Sequence, residues 1–234
     1  MEALSIQNLS KSYSFQGKKL QVLENLSFTA AMGKITVLLG KSGCGKTTLL
    51  RLISRLEKPD GGQIRIPGEL QLGMMFQEAR LLPWLNCRDN ITFGLREQLS
   101  EQELNQLLQL MGLSDFAQAY PHQLSGGMQQ RVALARTLAR RSKLILMDEP
   151  FAALDYFTRL QMQQEVLKVK RLWGSGFLLV THNIDEALAM GDKLLLLQNG
   201  KIAREINLPD EEERDVLREP YLSAKKEILQ ILQA

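Results

Sequence analysis

Cysteine and histidine are scarce in this chain, with two residues of each type among 234. Cys44 and Cys87 form no C-x-x-C pair and, with the two histidines, no metal-ligand pattern. This excludes a disulfide framework and a structural zinc site as the basis of the fold. Both cysteines are therefore predicted to be free thiols in a reducing compartment.

Long apolar runs and a strong excess of one charge are also missing. No run approaches the ~20 residues that a membrane-spanning helix needs, and residues 1–5 show no basic region before an apolar core, so no signal peptide is expected. The 29 basic and 26 acidic side chains leave a formal charge of +3 without a basic run, which does not favour nucleic-acid binding. The missing apolar runs lead us to expect a soluble, cytoplasmic protein. An apolar fraction of 44% is enough for a buried core, and the length fits one large domain or a core with a subdomain.

A glycine-rich loop lies between the apolar run 35–39, a predicted buried strand, and a helical pattern that begins at Leu49. In this context backbone N–H groups and the helix N-terminus bind phosphate oxygens. Lys46 is expected to reach the β- and γ-phosphates, and the Thr47 hydroxyl to ligate Mg²⁺. A plain glycine turn is the alternative, and the complete pattern argues against it. The loop residues are Gly40, Lys41, Ser42, Gly43, Cys44, Gly45, Lys46, Thr47 and Thr48.

The first half of the chain reads as strands around this loop, followed by helices. Residues 11–17 are predicted to form a turn or loop, and the pattern from Cys87 to about Met111 is helical, with leucines at helical spacing. The predicted strands are residues 4–9, 22–29, 63–66 and 70–76.

The second half alternates between apolar strands and helices, which is typical of a parallel α/β sheet. Ser125 is predicted to cap a helix, and Asn199 with Gly200 indicates a hairpin. The predicted strands are residues 144–147, 177–181, 193–197 and 202–206; the predicted helices are residues 125–139, 156–173 and 183–190, with a helical tail beyond Asp210.

Two adjacent acids follow the apolar run 144–147. Pro150 stops further pairing, so Asp148 and Glu149 are expected at the end of a strand. Asp148 is placed to hold Mg²⁺ directly or through water, as a Walker B acid does. Glu149 is placed to polarise a water for attack on a γ-phosphate. A surface turn is the alternative, and the upstream glycine loop favours the catalytic interpretation.

The segment 124–131, LSGGMQQR, resembles the signature motif of ATP-binding cassette (ABC) ATPases. Met128 stands where the commonest signature has glutamine, and Lys41 stands where proline or another residue often occurs; both variants are compatible with ATPase activity. Further matches occur in family order over about residues 4–205: Tyr13 for the A-loop aromatic, Gln77 for the Q-loop, Asp148 and Glu149 for the Walker B pair, Ala153, Leu154 and Asp155 for the D-loop, and His182 for the switch histidine.

The resemblance implies an α/β fold class: a P-loop NTPase with a RecA-like core, an antiparallel β-subdomain and an inserted α-helical subdomain. Residues 1–234 would form a single ABC ATPase domain. The helical subdomain would occupy about residues 86–140, and a C-terminal helical tail would occupy about residues 210–234.

The same resemblance implies a head-to-tail homodimer that encloses each ATP between the phosphate loop of one copy and the signature of the other. Ser125, Gly126 and Gly127 open a helix, whose N–H groups and positive dipole end suit a γ-phosphate; a plain capped helix start is the alternative. His122 matches no motif and is interpreted as structural.

The resemblance also assigns roles by position. For Tyr13, adenine stacking and an exposed turn tyrosine both remain open. The implied set is Lys46, Glu149 and His182 in catalysis; Thr47, Gln77 and Asp148 at Mg²⁺ or its waters; and Tyr13, the loop residues 40–48, Gln77, Ser125, Gly126, Gly127 and Asp155 around ATP.

The leading functional prediction is the ATPase subunit of a membrane importer. It would lie on the cytoplasmic side of the cell membrane, bound to separate permease subunits that act with an extracytoplasmic solute-binding protein, with no role for nucleic acid. The runs 76–84 and 147–155 resemble the nitrate, sulfonate and taurine importer subgroup. Residues 81–85 are either a permease-docking surface or core beneath the helical subdomain.

A soluble ABC ATPase acting on nucleic acid or ribosomes is the second candidate. DNA-repair types carry long coiled coils between the loop and the signature, and the stretch from Lys46 to Ser125 is too short for them. Translation types carry two cassettes, and this length permits one. A P-loop kinase or GTPase would lack the signature, and no Asn-Lys-x-Asp guanine motif occurs.

Overall fold

The computed structural model describes residues 3–67, 72–95, 97–152, 154–209, 211 and 214–233. Within them the elements are β1 (Ala3–Phe15), β2 (Lys18–Ala31), β3 (Ile35–Leu39), α1 (Lys46–Ile53), β4 (Gly61–Arg65), β5 (Leu72–Met75), α2 (Cys87–Thr92), α3 (Glu101–Leu110), α4 (Gly126–Ala139), β6 (Leu144–Asp148), α5 (Tyr156–Trp173), β7 (Gly176–Thr181), α6 (Ile184–Met190), β8 (Lys193–Gln198), β9 (Lys201–Asn207) and α7 (Tyr221–Gln233).

The main sheet has the strand order β5-β6-β7-β3-β8-β9. The first five strands are parallel, and β9 pairs antiparallel with β8. Every residue of β3 and β7 is buried, as expected for parallel strands covered on both faces. Asn199 and Gly200 both have positive φ between β8 and β9, so the predicted hairpin is confirmed.

A second, antiparallel sheet has the order β2-β1-β4. The prediction of a turn or loop at residues 11–17 is wrong, because β1 continues to Phe15 and pairs with β2 along that length. The connection is confined to Gln16 and Gly17, which both have positive φ. A two-residue turn of this kind leaves the preceding residues free to pair.

The continuous helical pattern predicted for residues 87–111 is also interrupted. α2 ends at Thr92, Gly94 has φ +70°, and α3 begins only at Glu101. Ser100 caps α3, and its side chain and that of Glu103 form reciprocal hydrogen bonds with each other's backbone N–H groups. This capping box starts a new helix inside an otherwise periodic sequence.

The strands predicted at residues 63–66 and 70–76 are present as β4 and β5, although Leu70 and Gln71 lie outside the described residues. Ser125 caps α4 through the N–H of Met128, and Gly174 ends α5 with a left-handed conformation. His122 stacks against Tyr120 just before α4, with ring centroids 6.1 Å apart.

The main sheet separates two apolar cores, and β3 contributes to both by alternation. Ile35, Val37 and Leu39 pack in the core that contains residues of α2 to α7. Leu38 packs in the other core, with α1 and the antiparallel sheet. The predicted α/β class with an antiparallel sheet is therefore confirmed. Among the described helices, none combines the length and apolar character needed to cross a bilayer.

The C-terminal segment is fixed to the main sheet by a buried ion cluster around Asp192. Its carboxylate accepts hydrogen bonds from the Ile35 N–H at 2.7 Å, from Arg214 at 2.6 Å and from Lys170 at 2.9 Å. The side chains of Asp192 and Arg214 are 8% and 5% exposed. Removing one partner of such a group leaves buried charge uncompensated.

We expect Asp192→Ala to lower the free energy of unfolding by about 3 kcal/mol, because Arg214 and Lys170 lose their shared acceptor. Urea denaturation measures this. The control is Glu24→Ala, which removes an exposed pair with Lys201 and should cost less than about 1 kcal/mol. Equal losses in both variants would contradict a structural role for the Asp192 cluster.

Candidate functional site

Four neighbouring strands of the main sheet end at the same edge, and each is followed by a predicted site residue. Gly40 follows β3, Gln77 lies two positions beyond β5, Glu149 follows β6, and His182 follows β7. These strands are parallel and in register, so their carboxyl ends meet. Ligands of open α/β sheets bind at this edge.

The glycine loop wraps the N-terminus of α1. Gly45 is the N-cap residue with φ +107°, and a Cβ there would lie 2.8 Å from Leu23 Cδ2. Glycine is therefore required both by backbone conformation and by space. The Lys46 side chain turns back into the loop and donates to the carbonyl oxygens of Gly40 at 2.8 Å and Lys41 at 3.0 Å. A buried cation beside free helix N–H groups makes an anion site.

Thr47 and Asp148 bring two oxygen ligands together. The Thr47 hydroxyl donates to Asp148 Oδ1 at 3.1 Å. Burial raises the pKa of Asp148, and the hydrogen bond from Thr47 opposes that rise. No group of three or more His, Cys, Asp or Glu side chains with metal-binding geometry occurs among the described residues. The oxygen pair suits Mg²⁺, which is usually held by few protein ligands together with substrate phosphates and water.

Glu149 and His182 form a second pair, beside the first. Glu149 has φ +46°, a conformation that costs a non-glycine residue about 1–3 kcal/mol and is concentrated at functional sites. Its N–H donates to the carbonyl of Val180 on β7 at 3.0 Å. Its carboxylate lies 3.0 Å from His182 Nδ1. The strained backbone thus brings a carboxylate and an imidazole from two strands together, with His182 55% exposed.

Tyr13 lies on the antiparallel sheet next to α1. Its hydroxyl donates to the carboxylate of Glu57 and shares a hydrogen bond with Thr48. Burial and the bond to Glu57 raise the pKa of Tyr13. Lys11 Nζ lies 5.3 Å from the centre of the ring. Tyr13 is therefore half-buried beside the phosphate loop, whereas Phe15 is 66% exposed at the hairpin end.

The signature residues lie at the N-terminus of α4. Ser125 accepts the Met128 N–H at 3.3 Å. A Cβ at Gly127 would lie 2.5 Å from Thr158 Cγ2, so this glycine permits close packing of α4 on α5. A Cβ at Gly126 would meet nothing within 4 Å. Both segments are described, and no hydrogen bond joins residues 125–127 to residues 40–48 within the chain.

Asp155 caps α5. Its carboxylate accepts the N–H groups of Thr158 and Phe157, both at 3.1 Å. A hydrogen bond from the Thr158 side chain, followed by these backbone bonds, lowers the pKa of Asp155. The D-loop match thus lies at an exposed helix start, and its residue Ala153 lies outside the described residues.

Two residues that the sequence analysis did not single out connect the signature helix to the segment after β5. Gln130 Nε2 donates to the backbone oxygen of Gln77 at 2.6 Å. Arg136 donates to the backbone oxygens of Ala79 at 2.9 Å and Arg80 at 3.0 Å. Gln130 is 4% exposed; a glutamine on the buried side of a predicted helix was the available signal.

The segment 81–85 has features of both a docking surface and buried core. Leu81 packs against the main apolar core. Trp84 is 70% exposed, and the neighbouring Pro83 is also exposed. The segment therefore combines a buried foundation with an exposed aromatic side chain, and permease docking stays a prediction.

Known transport proteins are similar to this chain over most of its length. The sequence model described as "ABC transporter" matches residues 23–152. The "Aliphatic sulfonates import ATP-binding protein SsuB 1" of Shouchella clausii is 41% identical over 231 residues, which cover 97% of this chain and 90% of that protein. The "Taurine import ATP-binding protein TauB" of Ruegeria pomeroyi is 40% identical over 253 residues, covering 99% and 94%.

Among solved structures, the chain resembles a dimeric post-hydrolysis state of the ATP-binding cassette MJ0796 bound to ADP and Pi. The TM-score is 0.76 with 31% sequence identity, over 89% of this chain and 100% of that one. The fold, the family match and relatives of nearly equal length agree: this chain belongs to the ABC transporter family, as an ATP-binding cassette.

Proposed function

We propose that this chain is the ATP-hydrolysing subunit of an importer and that its site residues act as follows. The observation that carries the proposal is the convergence of three groups at one sheet edge. These are the buried Lys46 ammonium, the Thr47–Asp148 oxygen pair and the Glu149–His182 pair. Phosphate binding, cation binding and activation of water are the three requirements of phosphoryl transfer to water.

ATP is the substrate in this proposal. Its phosphates bind the loop N–H groups and Lys46, which exchanges carbonyl partners for phosphate oxygens. Glu149 accepts a proton from a water whose oxygen forms a bond to the γ-phosphorus, while the bond from that phosphorus to the bridging oxygen breaks and ADP leaves. His182 holds the Glu149 carboxylate and contacts the γ-phosphate oxygens.

The residues present fit a magnesium ion. Thr47 and Asp148 would hold it, with Gln77 reaching it or one of its waters. An ion held there would neutralise phosphate charge during hydrolysis. The burial that raises the pKa of Asp148 also makes its carboxylate depend on a nearby positive charge.

A second copy of the chain would complete the site. Gly126 has no positive φ, and nothing in its own chain lies near its absent Cβ, so neither backbone nor internal packing explains a glycine there. Close approach of a nucleotide held by another copy does explain it. Its place at the start of α4 offers N–H groups to that nucleotide, and the similar cassette MJ0796 is dimeric.

Transport requires permease subunits, which we place in the membrane with this chain on the cytoplasmic side, together with a solute-binding protein. The resemblance of residues 76–84 and 147–155 to one importer subgroup, and relatives named for sulfonate and taurine import, favour small sulfonate-class cargo. Loss of sulfonate or taurine uptake on deletion of the gene tests the cargo. Co-purification with a membrane protein separates this function from action on nucleic acid or ribosomes.

The general-base role predicts the behaviour of Glu149→Gln. Glutamine keeps the size of the side chain but cannot accept the proton, so hydrolysis should fall by ~10²–10⁴. ATP binding should survive, since the phosphate loop is intact. An ATP-bound dimer should then accumulate, which phosphate release and size-exclusion chromatography with Mg-ATP measure.

Lys46→Ala is the matched control: it should neither hydrolyse nor dimerise, because it loses the phosphate ligand and not the base. Near-normal hydrolysis by Glu149→Gln would show that Glu149 is not the base. A hydrolysis-dead Glu149→Gln protein that stays monomeric with ATP would contradict the dimeric site.

The adenine-stacking role predicts that Tyr13→Ala weakens ATP binding about twofold to twelvefold, since aromatic stacking contributes ~0.5–1.5 kcal/mol. Turnover should be affected less. Tyr13→Phe, which keeps the ring and loses the bond to Glu57, should bind ATP nearly normally. Equilibrium binding of a fluorescent ATP analogue measures both. If Tyr13→Ala binds normally, Phe15 becomes the candidate.

The loop assignment predicts a thiol footprint. Cys44 is partly accessible, whereas Cys87 is fully buried and its burial raises its pKa to about 11. A thiol reagent should modify Cys44 first, and ATP should slow that reaction with less effect on Cys87; mass spectrometry over time follows both. Lys46→Ala should remove the protection. Equal protection of both thiols, or none at Cys44, would contradict the phosphate-loop assignment.

A further inference from the structure

A buried carboxylate lies behind the segment that carries His182. Glu186, in the first turn of α6, is 6% exposed. Its N–H donates to Asn183 Oδ1 at 3.2 Å, and the Asn183 N–H donates to Thr181 Oγ1 at 3.0 Å. Thr181 also hydrogen-bonds the Glu186 carboxylate. These hydrogen bonds link Thr181, Asn183 and Glu186, so the residues on both sides of His182 are held to one another.

Within the described part of the chain, Oε1 of Glu186 and Nε of Arg159 are buried without a hydrogen-bond partner. The two side chains are close enough to interact electrostatically. Arg159 lies on α5, and its Nη2 donates to the carbonyl oxygen of Leu154 at 2.9 Å. Leu154 directly precedes Asp155. One unpaired atom therefore belongs to the switch-histidine segment, and the other to the helix that begins at the D-loop.

The charges of the two groups are complementary. Burial raises the pKa of Glu186 to about 7; the bond to Thr181 and the positive charges of Arg159 and His182 oppose the rise, and Glu149 adds to it. Because this pKa is above the ordinary value of 4.5, the Glu186 carboxyl group lowers stability as the pH rises from about 4.5 to about 7. Fold stability therefore does not explain why an acid lies here.

We propose that Glu186 and Arg159 are a positioning pair that joins the D-loop segment to His182. Contact of Oε1 with Nε satisfies both unpaired atoms and fixes the His182 segment against the start of α5. Asp155 is exposed at the N-terminus of α5, so a second copy that docks there would contact this end of the helix. The pair then couples docking to the placement of His182 beside Glu149. This inference rests on the proposed ATPase function.

Steady-state ATP hydrolysis by Glu186→Gln tests the pair. Glutamine keeps the shape and can keep the bond to Thr181, but it loses the charge that interacts with Arg159. We expect kcat to fall about tenfold, the effect of losing one charge-assisted hydrogen bond, with KM for ATP unchanged because the phosphate loop is untouched. The matched control is Asp185→Asn, on the same helix as Glu186. It removes an exposed carboxylate that pairs with Lys225 of α7 and should leave kcat unchanged.

Arg159→Gln, at a half-buried position, tests the partner, and the double variant tests the coupling. We expect the double variant to be about as slow as the slower single variant. Thermal unfolding at pH 8 separates a structural role: Glu186→Gln should unfold at the wild-type temperature or above. Normal kcat in both single variants, losses that multiply, or a kcat loss explained by a lower unfolding temperature would each overturn the pair. Wild-type hydrolysis that Lys46→Ala abolishes checks the proposed function separately.

Discussion

The central strands of the main sheet, buried on both faces, can satisfy their backbone groups only on one another, and the rest of the molecule depends on this constraint. β7 pairs in parallel with both β6 and β3. The acidic, basic and imidazole side chains of the site therefore lie beyond the apolar parts of these strands, and parallel pairing places the strand ends along one edge. The phosphate loop, the two acids and the histidine lie together because the hydrogen-bonded core leaves them no other place.

Local strain and close contact then refine what the sheet has positioned. Glu149 adopts a left-handed conformation just before Pro150, and its N–H is held by Val180 of the next strand. Gly45 adopts φ +107° under Leu23, a residue of the antiparallel sheet. Each strained residue is thus fixed by an element other than its own, which is the condition under which such backbone strain persists. The two sheets and the strained turns form one structural unit around the site.

Much of this could be predicted because the patterns are local. Apolar runs of four or five residues followed by Gly40, Asp148 or His182 identify strands and their functional ends together, and Ser125 marks the start of a helix. The failures are also physical. β1 extends through residues 11–15 because of pairing with β2, which no local pattern encodes, and the α2–α3 interruption depends on Gly94 and the Ser100 cap. Gln130 and Arg136 escaped prediction because their partners are distant in sequence.

The central claim is that each catalytic site is shared by two copies of the chain. Lys46→Ala disables the phosphate loop, and Gly126→Asp disables the signature; the second should fold, since its side chain enters open space at a helix start that favours an acid. ATP hydrolysis is measured for each variant alone and for their mixture. The account predicts two inactive proteins whose mixture regains part of the wild-type rate, because a mixed dimer contains one site with an intact loop and an intact signature. A mixture as inactive as its components would contradict the shared site.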